Sequence, residues 1–265
     1  MTDRPTPRAQ RVLAPNPGPM TLEGTNTWLL AEPGATRAVL VDPGPDDERH
    51  RTAVLMEAAV RGLQIALVLL THGHPDHADG AERLTAAVGA PMRAFDPAYR
   101  IGPDGLVDGD VVTLDGLELE VVATPGHTAD SVCLLVRADG SLLAGDTLLG
   151  RGWTVVAHPD GRLGDYLSSL ERLRSLCAET PVTALLPGHG PVRTDAVPLI
   201  DSYVAHRAER LAQVQRAVEE GAEQPAEVVR RVYADVSRAL WPAAEQSVRA
   251  QLDYLADLSG RRGAG

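Results

Sequence analysis

Six consecutive apolar residues, Ile65 to Leu70, run directly into Thr71-His72-Gly73-His74-Pro75-Asp76-His77. The run is long enough for a buried strand and too short for most helices, so three imidazoles and a carboxylate sit where a strand ends. In an extended chain His72 and His74 project to one side and can grip one metal together. Pro75 fixes its own backbone angle and removes a donor, which favours a turn that carries Asp76 and His77 round to face a different position. That arrangement suits two adjacent metals. The competing reading, a polar loop holding histidines by chance, fits poorly with four ligand-type residues at this density.

Ligand-type residues elsewhere fall in the same kind of place. Residues 28–30 and 38–41 read as strands joined by a turn at Pro33-Gly34, and the second stops at Asp42-Pro43-Gly44. Asp46 or Asp47 can cap a helix running to about Arg61, and residues 78–88 read as a helix after the histidine cluster, so strand and helix alternate here. The middle changes character: residues 111–114, 117–122, 132–136 and 141–144 are short apolar or alternating runs punctuated by Asp-Gly turns, a meander of antiparallel strands. Two of its strand ends carry His127 and Asp146. An amphipathic helix is predicted over 165–177, and the strand 184–186 ends in Pro187-Gly188-His189-Gly190. After Pro191 the pattern is wholly helical, over about 195–220, 225–235 and 243–258, with a frayed tail over 259–265.

Collected, the strand-end donors are His72, His74, Asp76, His77, His127, Asp146 and His189. Imidazoles and carboxylates without thiolates suit zinc, iron or manganese, and this number of them suits a two-metal site, with ions ~3.5–4 Å apart, that keeps open positions. A structural zinc is more often closed by cysteines. Cys133 and Cys177 instead read as small buried hydrophobes.

Composition removes several other classes. A chain of 265 residues with formal charge -11 holds one sizeable core plus a small appendage and lacks the electrostatic footprint of strong, sequence-independent nucleic-acid binding. Residues 1–10 are polar with no apolar segment, and no later run approaches the ~20 residues that span a bilayer, so a cytoplasmic protein is expected.

These residues together resemble the metallo-β-lactamase superfamily, whose signature stands at Thr71 to His77 and again at His127, Asp146 and His189. The likeness covers about residues 20–192. Asn16-Pro17-Gly18-Pro19-Met20, Gly24-Thr25-Asn26-Thr27 and the C-terminal helices are similar, more narrowly, to a lactamase-like subfamily containing a mitochondrial endoribonuclease and stand-alone polyketide thioesterases. The resemblance implies an α/β fold, a four-layered αβ/βα sandwich with the metals at one edge, formed by residues 1–194, and a helical, winged-helix-like appendage over 195–265. It implies that His72, His74 and His127 hold a first ion, that Asp76, His77 and His189 hold a second, and that Asp146 bridges them. The two divalent ions would be zinc first, with iron or manganese accepted by the same donors. Asp42 matches the superfamily's first motif and would orient a ligand or its loop; the alternative is a simple turn aspartate before proline.

Chemistry follows from such a site: a bridging water with its pKa lowered to ~7 provides hydroxide, the second metal polarises the electrophile, and Asp76 orients the nucleophile. His158 and the helix residues Tyr203 and His206 are candidates for the substrate pocket, against the plainer reading of solvated positions. His50 reads as surface. The expected function is a two-metal hydrolase of an ester, thioester or related bond in a small or carrier-bound acyl substrate. An endoribonuclease on single-stranded RNA is the alternative, weakened because residues 201–265 carry nine arginines against ten acids and end where a β wing should follow. A non-catalytic, metal-stabilised binding protein is a third reading, poorly supported by a complete ligand set. A true β-lactamase is disfavoured by the lack of an export signal.

Overall fold

The apolar run at the centre of the sequence forms a strand buried on both faces, and this sets the layering. In the computed structural model, which describes residues 2–263, the first sheet contains β1 (Thr2–Asp3), β2 (Ala9–Leu13), β3 (Asn26–Leu30), β4 (Arg37–Val41), β5 (Gln64–Leu69) and β6 (Met92–Arg93), in that spatial order. β1 to β4 pair antiparallel, whereas β4, β5 and β6 run parallel, linked by α1 (Glu48–Val60) and then by α2 (Pro75–Ala78) and α3 (Ala81–Val88). The second sheet is built from β7 (Val111–Leu114), β8 (Leu117–Ala123), β9 (Val132–Val136), β10 (Ser141–Gly145) and β11 (Ala184–Pro187). Its first four strands form the expected meander, and β11 returns parallel to β10 after α4 (Leu163–Glu179).

Side chains alternate between two cores, as the period of two along a strand requires. Val39, Val41, Leu67 and Leu69 of the first sheet meet Val132, Leu134, Val136 and Leu143 of the second in one cluster between the sheets. Ala38, Leu40 and Val68 face Val54, Ala58 and Leu84 on α1 and α3, while Cys133, Leu135 and Leu142 face Tyr166, Leu170 and Leu173 on α4. The order is helix, sheet, sheet, helix. Cys133 and Cys177 are buried, unpaired members of this packing.

The chain continues into α5 (Ala196–Glu219), α6 (Pro225–Val232) and α7 (Trp241–Gly263). Leu199, Ile200 and Tyr203 pack α5 on the core beside α4, and Ala250 brings α7 to the same cluster. Val214, Ala217, Val228, Val229 and Val248 close a small separate core among the three helices. On α5, Val204 and Val218 are exposed, and the aromatic Tyr203, next to Val204, takes the buried face. Among the described residues no strand follows β11, and no helix is long and apolar enough to cross a membrane.

Three other local expectations change. β2 lies in a segment that read as polar: Ala9 packs between the sheets and Val12 on the opposite, helix-covered face, while Arg8 and Arg11 pair with Glu32 and Asp3. The helix expected over 78–88 is split at Gly80, where a Cβ would lie 2.9 Å from the carbonyl oxygens of Gly44 and Pro45. The tail is not frayed at Ser259: α7 continues to Gly263, with Ser259 Oγ donating to Leu255 O, and residues 264–265 lie outside the described residues.

Candidate metal centre

The loops that leave the C-terminal ends of β4, β5, β8, β10 and β11 open on one edge of the sandwich, and this edge gathers all seven predicted donors. Pro75 opens α2, a single helical turn that carries Asp76 and His77 round toward His189, with the His77 ring still 4.3 Å from that of His72. The edge is sewn across the sheets by backbone bonds from Asn26 N to Gly188 O (2.7 Å) and Val132 N to Thr71 O (2.9 Å), and within the second sheet from Gly188 N to Gly145 O (2.7 Å). Gly188 has no alternative here: a Cβ would fall 2.4 Å from Asp146 Oδ1 and 2.7 Å from His77 Cε1.

His74 Nδ1 lies 3.1 Å from His72 Nε2 and 3.0 Å from His127 Nε2. His189 Nε2 lies 3.2 Å from His77 Nε2 and 3.0 Å from Asp76 Oδ2. Asp146 sits between the groups, Oδ1 at 3.5 Å from His77 Nε2, Oδ2 at 3.7 Å from His127 Nε2 and 3.3 Å from His189 Nε2. His72 with His74 and His127, Asp76 with His77 and His189, and His72 with His77 and Asp146 are three groups that could each hold a metal ion, with donor atoms within 4.8 Å of one another.

The outer nitrogens decide which way the inner ones face. His77 Nδ1 donates to Asp42 Oδ2 (2.8 Å), His127 Nδ1 to Val155 O (2.6 Å) and His189 Nδ1 to Gly24 O (3.2 Å). His72 Nδ1 lies 3.1 Å from Thr71 Oγ1, whose own hydrogen goes to Asp42 Oδ2. With the outer nitrogen donating, a neutral ring turns a bare lone pair inward. His77 Nε2 and His189 Nε2, both turned inward in this way, face each other at 3.2 Å, where two lone pairs repel unless a proton or a metal cation lies between them. Asp146 Oδ1 is buried with no hydrogen-bond partner, a costly state that a cation would relieve. The donor set therefore fits divalent metal.

Electrostatics divides the cluster. Burial, reinforced by neighbouring imidazoles, pushes His72 well down and His127 to about 4, so both stay neutral. Against the same burial, Asp146 and Asp42 hold His77 well up, and Asp146 with Asp76 holds His189 up to about 9. The carboxylates thus demand positive charge at this end, which either protons or a metal can satisfy.

Asp42 is buried at φ 55°. Its Oδ1 accepts Thr71 N (2.8 Å), and its Oδ2 accepts Thr71 Oγ1 and His77 Nδ1. His50, expected at the surface, is also buried: it lies under Gly44 with Nε2 2.7 Å from Thr27 Oγ1, which donates to Asp42 O (2.6 Å). Desolvation lowers it to about 4, although Asp47 opposes the shift. The run Thr25-Asn26-Thr27 braces three loops at once. Thr25 Oγ1 donates to Asp76 Oδ2 (3.3 Å), Asn26 Nδ2 donates to Pro187 O and Gly190 O (2.9 Å each), and Thr27 holds the Asp42 loop. Sequence reasoning quoted this run without giving it a task; three consecutive hydrogen-bonding side chains entering a buried strand were the signal.

A cavity of 340 Å³ extends from His127 and Asp146 to the C-terminal helices. His206 lines it, with its ring stacked on Trp153 at 4.0 Å and 3°. Tyr203 does not face it as predicted: the side chain is buried behind Trp153, its OH accepting Leu149 N–H (3.0 Å) and donating to Gly152 O (3.1 Å). His158 is also displaced, because the loop passes the cavity at 153–155 and then turns to α7, where His158 lies 3.2 Å from Asp253. Trp153 was missed, although a loop tryptophan in a chain with only three is conspicuous.

Residues 20–189 match the profile of the metallo-beta-lactamase superfamily, and residues 225–258 match that of the beta-lactamase associated winged helix domain. The chain belongs to the metallo-β-lactamase superfamily. It is 34% identical over 256 residues to a beta-lactamase-like protein 2 homolog of Caenorhabditis elegans, covering 92% of this chain and 83% of that protein. An atrochrysone carboxyl ACP thioesterase of Aspergillus fumigatus is 34% identical over 218 residues, 81% of this chain and 66% of that protein. The crystal structure of a beta-lactamase domain protein from Burkholderia ambifaria superposes with a TM-score of 0.80 at 26% identity, covering 98% of this chain and 88% of the other. As a metallo-β-lactamase superfamily member the chain is a metal-dependent hydrolase with a C-terminal winged-helix region, and its His/Asp clusters can bind divalent metal.

Proposed function

We propose that the chain is a two-metal hydrolase of esters or thioesters with a small or carrier-bound acyl group. In this reading His72, His74 and His127 hold one ion, Asp76, His77 and His189 the other, and Asp146 gives an oxygen to each. Zinc is the proposed ion, with iron and manganese fitting the same donors. The observation that carries the reading is Asp146: its carboxylate lies between the two triads, with Oδ2 3.7 Å from His127 and 3.3 Å from His189, and its buried Oδ1 has no hydrogen-bond partner. Bound ions would supply Lewis acidity at the carbonyl oxygen and a water acidic enough to attack near neutral pH. Asp76, held by Thr25 and His189, would accept a hydrogen bond from the attacking water and aim it. Asp42 would keep His77 turned inward, and Val155 O and Gly24 O would do the same for His127 and His189. Residues 1–194 are proposed as the catalytic domain and 195–265 as the appendage that walls its cavity.

The acyl substrate is favoured by the thioesterase name of one relative and by the largely apolar lining of the cavity beside Asp146. The test is turnover by metal-replete protein on ester, thioester, phosphodiester and single-stranded RNA substrates, with elemental analysis of the same sample. About two ions per chain and preferred cleavage of an ester or thioester are expected. One ion or none would remove the two-metal reading; preferred cleavage of RNA would replace the substrate.

A further inference from the structure

The cavity beside Asp146 has chemistry of its own. Its volume of 340 Å³ is at the lower end of the ~300–1,000 Å³ typical of small-molecule sites. Beyond His127 and Asp146 its wall is largely apolar, with Met20, Leu149, Val155, Val236, Leu240 and Ala243 among the lining residues. Each of the three arginines on the wall makes contacts within the protein, although Arg207 Nε is buried without a partner. Arg207, 7% exposed, donates to Thr154 O and lies 5.0 Å over the Tyr166 ring. Arg210 donates to Val232 O (2.6 Å) and Gln213 Oε1 (3.0 Å) and lies 4.8 Å over Tyr233. Arg151 pairs with Glu23 at 2.7 Å.

The flat element of the wall is the Trp153–His206 stack, its planes 3° apart. Tyr203 fixes it from behind, edge-on to Trp153 at 4.9 Å. Burial, with Arg207 and Arg210 nearby, lowers His206 to about 4, so the stack is uncharged at neutral pH. Rigid aromatic faces prefer other flat apolar groups in offset contact.

Resting on the hydrolase reading above, we propose that this cavity is the acyl chamber: it takes an apolar acyl group with a flat face and no charge at its far end, and Trp153 with His206 selects it. The carbonyl carbon then lies at the Asp146 end. A polar or phosphate-bearing leaving arm has no place in so small an apolar space and must lie outside it.

The experiment uses the full-length, metal-loaded protein and three thioesters sharing one leaving group, the acetyl, 2-naphthoyl and glutaryl derivatives of N-acetylcysteamine. Naphthoyl should exceed acetyl in kcat/KM by at least tenfold, and glutaryl should fall below naphthoyl by at least as much. Trp153→Ala should shrink the naphthoyl-to-acetyl ratio about tenfold and Trp153→Phe should restore most of it, with metal content equal in all variants. Leu240→Trp, which fills the chamber, should reduce the ratio as well. Equal kcat/KM for the three thioesters, or a ratio unmoved by both Trp153→Ala and Leu240→Trp, overturns the chamber. If no ester or thioester is turned over, the hydrolase reading fails separately. Calorimetric binding of 2-naphthoate then decides the chamber: binding weakened at least tenfold by Leu240→Trp supports it, and equal binding in both proteins overturns it.

Discussion

The two sides of the cleft are built by opposite means. On the ligand side His77, His127 and His189 are each held at both ring nitrogens, one toward the cluster and one toward a backbone or carboxylate oxygen behind it. On the helical side the wall is largely apolar; Arg207 and Arg210 along it, and Tyr203 buried behind it, turn hydrogen bonds back into the protein. The contrast teaches a division of labour: one side fixes donor positions closely enough for chemistry, and the other presents a shape that can be altered without disturbing the donors.

The harshest test of that division is Asp146→Ala. It removes the carboxylate between the triads, so both ions should be lost or weakened together and turnover should fall by more than the ~10–100-fold typical of outer-sphere changes. Asp76→Asn provides the contrast, because it should lower turnover by ~10²–10⁴ while retaining most of the metal. Elemental analysis beside steady-state rates separates them, and identical metal loss in the two would erase the distinction between bridge and base.

Next in size is Asp42→Asn, which touches no bound ion and keeps the side chain's shape. Loss of its charge should free His77 to turn and weaken metal binding by ~10–100-fold, read by competition with a chromophoric chelator. Unchanged affinity would reduce Asp42 to a turn residue.

His50 supplies a pH test on the ligand side. Its folded value of about 4 lies below the ~6.5 of an unfolded histidine. The unfolded chain therefore binds a proton that the folded chain refuses, so stability should drop as pH falls from about 6.5 toward 4 and be unaffected by this residue above 6.5. Denaturant unfolding of His50→Gln should show lower stability at pH 7 but a shallower acid slope than the parent. Equal slopes would mean that His50 is not buried neutral.

Smallest is Tyr203→Phe on the helical side. It deletes bonds to Leu149 and Gly152, at a cost of ~0.5–1.5 kcal/mol each. A modest fall in Tm and a raised KM are expected with metal content untouched. Metal loss here would show that the two sides are coupled after all.

The ligand side was legible in the sequence because its information is local. Each donor follows an apolar strand within a few residues, so strand position and donor chemistry could be read together. Layering was legible for a similar reason, since residues 65–70 and 132–136 are apolar at consecutive positions and must be covered on both faces. The failures are all long-range. Nothing near His50 announces that Gly44 will fold over it, and Gln10 and Arg11 hid β2 behind polar side chains that pair with distant partners. Tyr203 and His158 were assigned to the cavity by proximity along the chain. The direction in which Tyr203 points depends on Trp153, fifty residues earlier in the sequence and in contact only after folding.

The donors arrive in a fixed order as the chain is made. Residues 72, 74 and 127 complete one triad while α4, β11 and the C-terminal helices are still unsynthesised; the other triad waits for residue 189. Gly24 and Thr25, near the opposite end of the sequence, contact His189 and Asp76. The group that contains His189 therefore needs segments from near both ends of the 20–189 stretch to be in place together.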